Sequence, residues 1–417
     1  SLTLAAFETL AIVSTDCSDA YQRAERAVFC EAMAKIHPAL SEYTYLTYKT
    51  PSRIILPFIN HLGKQDYVIV LSLQGCKQGD PGGVTIFAAG SKAGIDFQLR
   101  DFFEITGSPC EIHTQVDDNL YIAPLQDMQQ IMKEAPRQLE EHNQAFQLEK
   151  SLLLVNSPTQ LKEAQELHLG SILIQTQGKF TGSPIGNQEA ILNKAQEMME
   201  EKIGQQQQLL HHLTHMDPHI AALIFRTAGG QPKFVYLIRT APVALLQQTC
   251  EKIQNIQEQF VCEHLLGIGP QHLSPALQLW LALPLGRGGF GLKVRQEDFA
   301  LAWIASFIQS ISILSKHGEF PLSQLAIQEA DTVKQLYEKM CLLYLSKLEP
   351  PQRKHIEKLI SWNTITHSTE ENIVSQKKLQ GLLDESRLQQ LRKTIGKNRQ
   401  LTRIIDTHTK NKGVLLG

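Results

Sequence analysis

No apolar run in the 417 residues reaches the roughly 18 that a membrane-crossing helix needs. The apolar opening, SLTLAAFETLAIVSTD, carries no basic leader and no small-residue cleavage site. It is expected as a buried helix and strand rather than a signal peptide. Cysteine chemistry is thin as well. Cys17, Cys30, Cys76, Cys110, Cys250, Cys262 and Cys341 are odd in number, widely spaced and without a C-x-x-C pair. That pattern argues against a disulfide framework and against a zinc site, and fits a reducing, intracellular compartment. Neither sign of charge dominates: Lys and Arg number 40, Asp and Glu 42, for a net charge of -2. Strong nucleic-acid binding over the whole surface is therefore not expected, because phosphate neutralisation needs an excess of cations. Aromatics make up only 7%. Trp280, Trp303 and Trp362 fall in helical patterns and are expected as core or rim packing.

What is there suffices for a globular protein. Hydrophobic residues are 42% and charged residues 20%, enough to bury a core. The length predicts two or three units. The charge is uneven along the chain. Between Ile373 and Lys412, the basic residues Lys377, Lys378, Arg387, Arg392, Lys393, Lys397, Arg399, Arg403, Lys410 and Lys412 face only Asp384, Glu385 and Asp406. This stretch reads either as a solvated helix face or as a face that tracks phosphates.

The first 125 residues or so alternate strand and helix signals. AIVST, IILPFI and YVIVLSL read as strands, and Tyr21 to Lys35 as one helix. Next come the turn-rich GCKQGDPGG and the helix candidate VTIFAAGSKAGIDF. Pro109 to Ile122 reads as two strands around a tight VDDN turn, and Asp127 to Phe146 as a helix. Leu152 to Val155 and Gly170 to Thr176 read as strands, followed by GKFTGSPIG. From Asn187 on, long Gln-, Leu- and Lys-rich helices dominate, and the run Gln205–Gln208 is expected as a solvated helix face. His211 and His215 sit one helical turn apart without an H-E-x-x-H carboxylate, so a solvated face is expected there too. Gly288, Gly289 and Gly291 read as a structural turn, not a dinucleotide fingerprint.

Three segments carry chemistry, in a fixed order. Asp16 follows a strand, with Tyr21 five residues on. Gly75-Cys76-Lys77-Gln78-Gly79-Asp80-Pro81-Gly82-Gly83 forms a glycine-rich turn. Asp117 and Asp118 sit at a hairpin tip. Each alone reads as ordinary turn chemistry. Together, a strand-end aspartate and a hairpin aspartate pair supply the converging carboxylates that two Mg²⁺ ions need for phosphoryl transfer, provided the strands are neighbours.

This set resembles the palm of reverse transcriptases of the non-LTR retrotransposon type. TDCSDAYQRAER is similar to motif A, GCKQGDPGG to the motif B signature G-x-x-Q-G-D-P, and QVDD to motif C. FQLEKSLLL resembles motif D, and LHLGSILIQTQGKFTGSPIG the primer-grip hairpin. Further on, DPHIAALIFRTAGGQPKFVYLIRTAP and LALPLGRGGFGLKV resemble segments downstream of that hairpin. The resemblance implies an α/β (α+β) polymerase palm with a mixed antiparallel sheet over 1–188, a helical thumb or connection over 189–262 and a C-terminal helical domain over 263–417. It implies Asp16, Asp117 and Asp118 as ligands of Mg²⁺, or of Mn²⁺ in its place, and Lys150 as the motif D lysine. Tyr21, Gln78, Gly79, Asp80 and Pro81 would meet nucleotide or template. Gly182, Ser183, Pro184 and Gly186 would form the primer grip. The implied partners are a nucleic-acid template–primer and deoxynucleotides.

The chain departs from the pattern at three points. It starts almost at motif A, so the basic fingers segment of the family is not in it, which implies a fragment, a lost segment or a protein partner. Gly82, Gly83 and Val84 stand where Leu-Gly-Pro is usual. Gln115 replaces an aromatic or alanine before x-D-D. The alternative reading is a catalytically inactive, domesticated or truncated palm that serves as a nucleic-acid-binding or protein-interaction module.

Overall fold

The computed structural model describes residues 10–15, 17–18, 20–77, 80–91, 111–115, 118–141, 145–186, 188–241, 246–293, 295–316, 327–366 and 374–396. The protein is a mixed α/β chain, mostly helical, with a small mixed sheet. It divides into two compact units, Ser1–Ile191 and Leu192–Gly417.

The first unit is built on β1 (Leu10–Thr15), the AIVST strand of the sequence reading. Its burial alternates, with Ala11, Val13 and Thr15 fully buried, as a strand with one face on a core must show. After β2 (Cys17–Ser18) come α1 (Ala20–Arg23), α2 (Arg26–Ile36) and α3 (Pro38–Tyr48). The expected single helix from Tyr21 to Lys35 is thus two. Glu25 is extended, and the carbonyl of Ala24 accepts from the Gly75 N–H at 2.9 Å instead of continuing the helical ladder. A hairpin, β3 (Ser52–Ile59) and β4 (Gln65–Ser72), leads to α4 (Gly83–Ser91). Then β5 (Glu111–Gln115), β6 (Asp118–Pro124) and α5 (Met128–Glu141) follow. The helix expected as far as Phe146 stops earlier: Ala145–Phe146 is a strand, β7, paired with β2. The unit closes with β8 (Leu152–Val155), α6 (Pro158–Glu166), β9 (Leu173–Gln175), β10 (Gln177–Phe180) and β11 (Ser183–Gly186).

The central sheet has the order β5-β6-β1-β8-β9, antiparallel except for β8–β9. Its core joins Val13, Tyr121, Ala123, Leu153 and Val155 to Phe29 and Met33 of α2, Ile86 and Phe87 of α4, and Met128 and Ile131 of α5. Burial of each large side chain contributes about 1.5–3 kcal/mol. The β3–β4 hairpin lies outside that core. Ile54, Leu56, Phe58, Val68 and Val70 share one face, and Ile55, Ile59, Tyr67, Ile69 and Leu71 the other. All ten are exposed.

The second unit is helical throughout its described residues. Its main elements are α7 (Gln188–Leu213), α8 (Val235–Thr240), α9 (Gln247–Phe260), α10 (Pro275–Ala282), α11 (Gln296–Lys316), α12 (Ile327–Leu345) and α13 (Gln376–Ile395). One continuous core runs from Ala195 to Leu383, with Phe299–Ala305 of α11 at its centre. Trp303 is buried, and Trp280 and Trp362 pack against this core, as expected. Gln205, Gln207 and Gln208 are exposed, as expected of their run, whereas Gln206 is fully buried and donates through Nε2 to the Gly229 carbonyl. Among the described residues no helix is long and apolar enough to cross a membrane.

Candidate functional site

The sheet register decides which sequence candidates converge. β1 runs antiparallel to β6 and to β8, with Thr15 opposite Asn119 and Ser14 opposite Leu152. The C-terminal end of β1 therefore lies at the same edge of the sheet as the first residues of β6 and β8. Asp118 opens β6 and is half-buried. Lys150 is exposed and ends a 3₁₀ turn just before β8. That turn is pinned by Ser151, whose N–H and Oγ both bond the Gln147 carbonyl, at 3.0 and 2.7 Å. Asp16 and Asp117 lie outside the described residues, as do Gln78 and Gly79. Among the described residues no group of three or more His, Cys, Asp or Glu side chains could hold a metal ion.

The glycine-rich turn reaches the site through α1. Cys76 donates its N–H to the Tyr21 carbonyl at 2.7 Å, beside the Gly75-to-Ala24 bond. Gly75 has φ +78, and a Cβ there would overlap the carbonyls of Gln22 and Tyr21. Only glycine allows both the left-handed backbone and this approach. The Tyr21 ring stacks on Phe87 with centroids 4.4 Å apart and planes 19° apart. Burial pushes the Cys76 thiol up to about 12, so it is inert as a nucleophile at neutral pH.

Asp80 is held from three sides. Tyr43 Oη donates to Oδ1 at 2.8 Å, Tyr48 Oη to Oδ2 at 2.6 Å, and the Gly82 N–H to Oδ1 at 2.9 Å. Burial opposes its ionised form, but the bonds from Tyr48, Tyr43 and Gly82, together with nearby Lys77, outweigh that and hold the carboxyl below its ordinary value. Burial first, and the bond to Asp80 second, push the Tyr48 hydroxyl up. The same contacts crowd Gly82: a Cβ there would lie 3.2 Å from Tyr43 Cε1 and 3.3 Å from Ile86 Cδ1, so a larger residue would press on both side chains.

β10 and β11 form a hairpin where the sequence reading expects the primer grip, with Phe180 opposite Ser183 and Lys179 opposite Pro184. Thr181 and Gly182 make its turn with φ of 46 and 81, the left-handed pair that a tight two-residue hairpin turn requires. Pro184 is buried, and Gly186 pairs with Gln177. A Cβ on Gly178 would overlap Leu152, so the hairpin sits directly on β8.

Two open grooves flank the sheet unit. One, of about 950 Å³, lies at the base of β3–β4 and is lined by Gln22, Ser52, Arg53, Ile54, Gln74 and Lys77 among others, with no acidic residue among the described lining. The other, of about 860 Å³, is lined by Pro124, Gln126, Asn156, Gln160 and Glu163, at the opposite end of the sheet from Asp118 and Lys150.

Tyr43, Tyr48, Phe87 and Arg26 carry the site's geometry without standing out in the sequence. Their partners lie far along the chain, and short-range patterns hold no signal for them. The basic C-terminal stretch is partly diverted to packing. Arg387 is buried against Glu297 and Asp298, and Lys393 pairs with Glu349 at 2.6 Å. Neither is a free phosphate-tracking cation, and residues from Lys397 on lie outside the described set. His211, His212 and His215 are exposed, as expected.

No protein-family model matches this chain, and no curated protein matches it. Several solved structures of telomerase are distantly similar. Telomerase from Candida albicans with a TWJ fragment of telomeric RNA shares 9% identity over 87% of this chain and 50% of that one, with a TM-score of 0.33. Apo telomerase from Candida tropicalis shares 10% over 74% and 50%, with a TM-score of 0.35. Telomerase from Candida tropicalis with a TWJ fragment of telomeric RNA shares 12% over 79% and 49%, with a TM-score of 0.32. The chain thus spans about half the length of these structures.

Proposed function

We propose that this chain is the palm and downstream region of a reverse transcriptase, which adds deoxynucleotides to a primer on an RNA or DNA template. One observation supports this above all. The end of β1, after which Asp16 follows, the start of β6 with Asp118, and the approach to β8 with Lys150 share one edge of the sheet. The Asp16, Asp117 and Asp118 carboxylates would hold Mg²⁺ or Mn²⁺, hard cations suited to oxygen donors, which would supply charge neutralisation and a more acidic primer hydroxyl. Without a cation, three clustered carboxylates would repel one another and resist ionisation.

The other residues position and protonate. Tyr21, braced by Phe87, would read the sugar of the incoming nucleotide. Asp80 shapes its turn through Tyr43 and Tyr48. Lys150 would give a proton to the leaving pyrophosphate. The β10–β11 turn would hold the primer strand. Most of the rate would come from positioning and electrostatics.

The test is primer extension on an RNA template with Mg²⁺ or Mn²⁺ and deoxynucleotides, beside Asp118→Asn. Extension by the parent chain that falls by on the order of 10³-fold in the variant supports the reading. Extension that survives in the variant sinks it. No extension by either protein moves the assignment to an inactive interaction module. The bare apolar faces of the β3–β4 hairpin favour that second reading, because such surface marks contact with another molecule.

A further inference from the structure

Arg26 is an inconspicuous charge in the sequence, and its guanidinium is tied on every nitrogen. It opens α2, is 9% exposed, and spends all three guanidinium nitrogens on neutral oxygens. Nε donates to the Gly75 carbonyl at 3.1 Å. Nη1 donates to the carbonyls of Ser72 at 3.0 Å and Thr50 at 3.4 Å. Nη2 donates to Ser72 Oγ at 3.0 Å and the Gln74 carbonyl at 3.2 Å. The guanidinium carbon also lies 5.6 Å from the Tyr48 ring centroid. These acceptors come from three places: Thr50, two residues before β3, the last residue of β4, and the Gln74–Gly75 turn. A planar fork with five N–H donors can serve them together, whereas an ammonium cannot. The turn is stitched back to the Tyr21–Arg26 segment by the Gly75 and Cys76 N–H groups, on Ala24 and Tyr21. Tyr21 is therefore located by a turn that Arg26 locates.

We propose that Arg26 is a positioning residue that holds Tyr21, the 72–77 turn and the base of the β3–β4 hairpin as one body, and through Tyr21 sets the choice between deoxyribose and ribose. The first half stands on the geometry alone. The second rests on the polymerase reading above. Arg26 itself touches no reacting group. Its effect is transmitted through the Cys76 N–H on the Tyr21 carbonyl and the stack of Tyr21 on Phe87.

The test uses the full chain with Arg26→Gln and Arg26→Lys. Amide exchange is read in peptides covering 20–26 and 72–77, against peptides from β1, β6 and β8. Arg26→Gln is expected to raise exchange at Gly75 and Cys76 by about tenfold or more, the effect of losing charge-assisted bonds, while the sheet stays protected. Arg26→Lys should fall between. In primer extension, the preference for deoxynucleotides over ribonucleotides, as a ratio of kcat/KM values, should drop about tenfold in Arg26→Gln with deoxynucleotide kcat largely kept. A merely destabilised protein would lose turnover on both nucleotides alike and keep the ratio. Unchanged exchange at the turn, or a uniform rise across the sheet, overturns the positioning role. An unchanged ratio in an active protein overturns the selectivity role. If the parent chain extends no primer, the polymerase reading and the selectivity half fall together, and the exchange pattern alone decides whether Arg26 fastens the turn.

Discussion

In the first unit the buried arginine, Arg26, meets carbonyls and a hydroxyl; in the second, Arg387 meets carboxylates. Arg387 is 2% exposed and grips Asp298 with two bonds of 2.7 Å, one to each oxygen, and Glu297 with a third of 3.0 Å. It joins α13 to the start of α11, two helices of a continuous apolar core. Arg26 joins a helix start to a turn and a hairpin that sits outside its unit's core. A guanidinium among carboxylates locks regular elements whose packing is already complete. The same group among carbonyls substitutes for packing, because a turn offers backbone acceptors and little apolar surface. The two arginines thus fasten different things: Arg387 two helices of a packed core, Arg26 a turn beside the candidate site.

The largest effect that separates the two is expected at Arg387. Replacement by Ala strands the fully buried Asp298 and should cost about 3–5 kcal/mol in urea unfolding of the chain. A small change would mean that the carboxylates find water, and would break the contrast. Gly75→Ala comes next. With φ +78 and carbonyls in the way, a methyl group there should cost about 1–3 kcal/mol and loosen the turn locally, read by limited proteolysis near 72–77.

Single carboxyls of the two units should also respond oppositely to acid. Asp80, held below its ordinary value, contributes stability that is present above the unfolded carboxyl value and lost as pH falls through the folded one. Asp384 is pushed up, by burial first, against Lys293, Gln380 and Arg387. Glu258 is also pushed up by burial, against Arg295 and Gln254. Their folded forms keep protons longer, so they cost stability as pH rises from the unfolded carboxyl value through the folded one. Asp384→Asn should flatten that rise in urea midpoint toward mild acid, and Tyr48→Phe should weaken the Asp80 contribution by about 1 kcal/mol. The smallest effect belongs to the hairpin. Ile55→Thr with Ile69→Thr should change stability by within about 0.5 kcal/mol, since both side chains are exposed, while reducing self-association in light scattering.

Much of the first unit was legible. β1 alternates, the Pro109–Ile122 segment contains two paired strands, although Asp118 and Asn119 belong to the second strand rather than to the turn and Asp117 lies outside the described residues, and GKFTGSPIG folds as a hairpin. Those elements are fixed by side-chain period and by turn residues, which act over a few positions. The misses share one cause. α1 and α2 separate where Gly75, some fifty residues away, takes the Ala24 carbonyl. Phe146 leaves its helix to pair with Cys17. Gln206 is drawn inside by a carbonyl on another helix. IILPFI and YVIVLSL were read correctly as strands, but their composition gave no hint that both faces would be bare.

The sequence by itself determined the element types and the order of the chemistry-bearing residues, because local propensity and turn chemistry need only neighbours. Only the tertiary structure decided that Asp118 and Lys150 share a sheet edge, that Asp80 braces a turn, and that Arg26 rather than any motif residue ties that turn to Tyr21. The reason is physical. Strand register and the partners of buried charges are long-range contacts, set by which backbone groups remain unpaired once the local elements have formed.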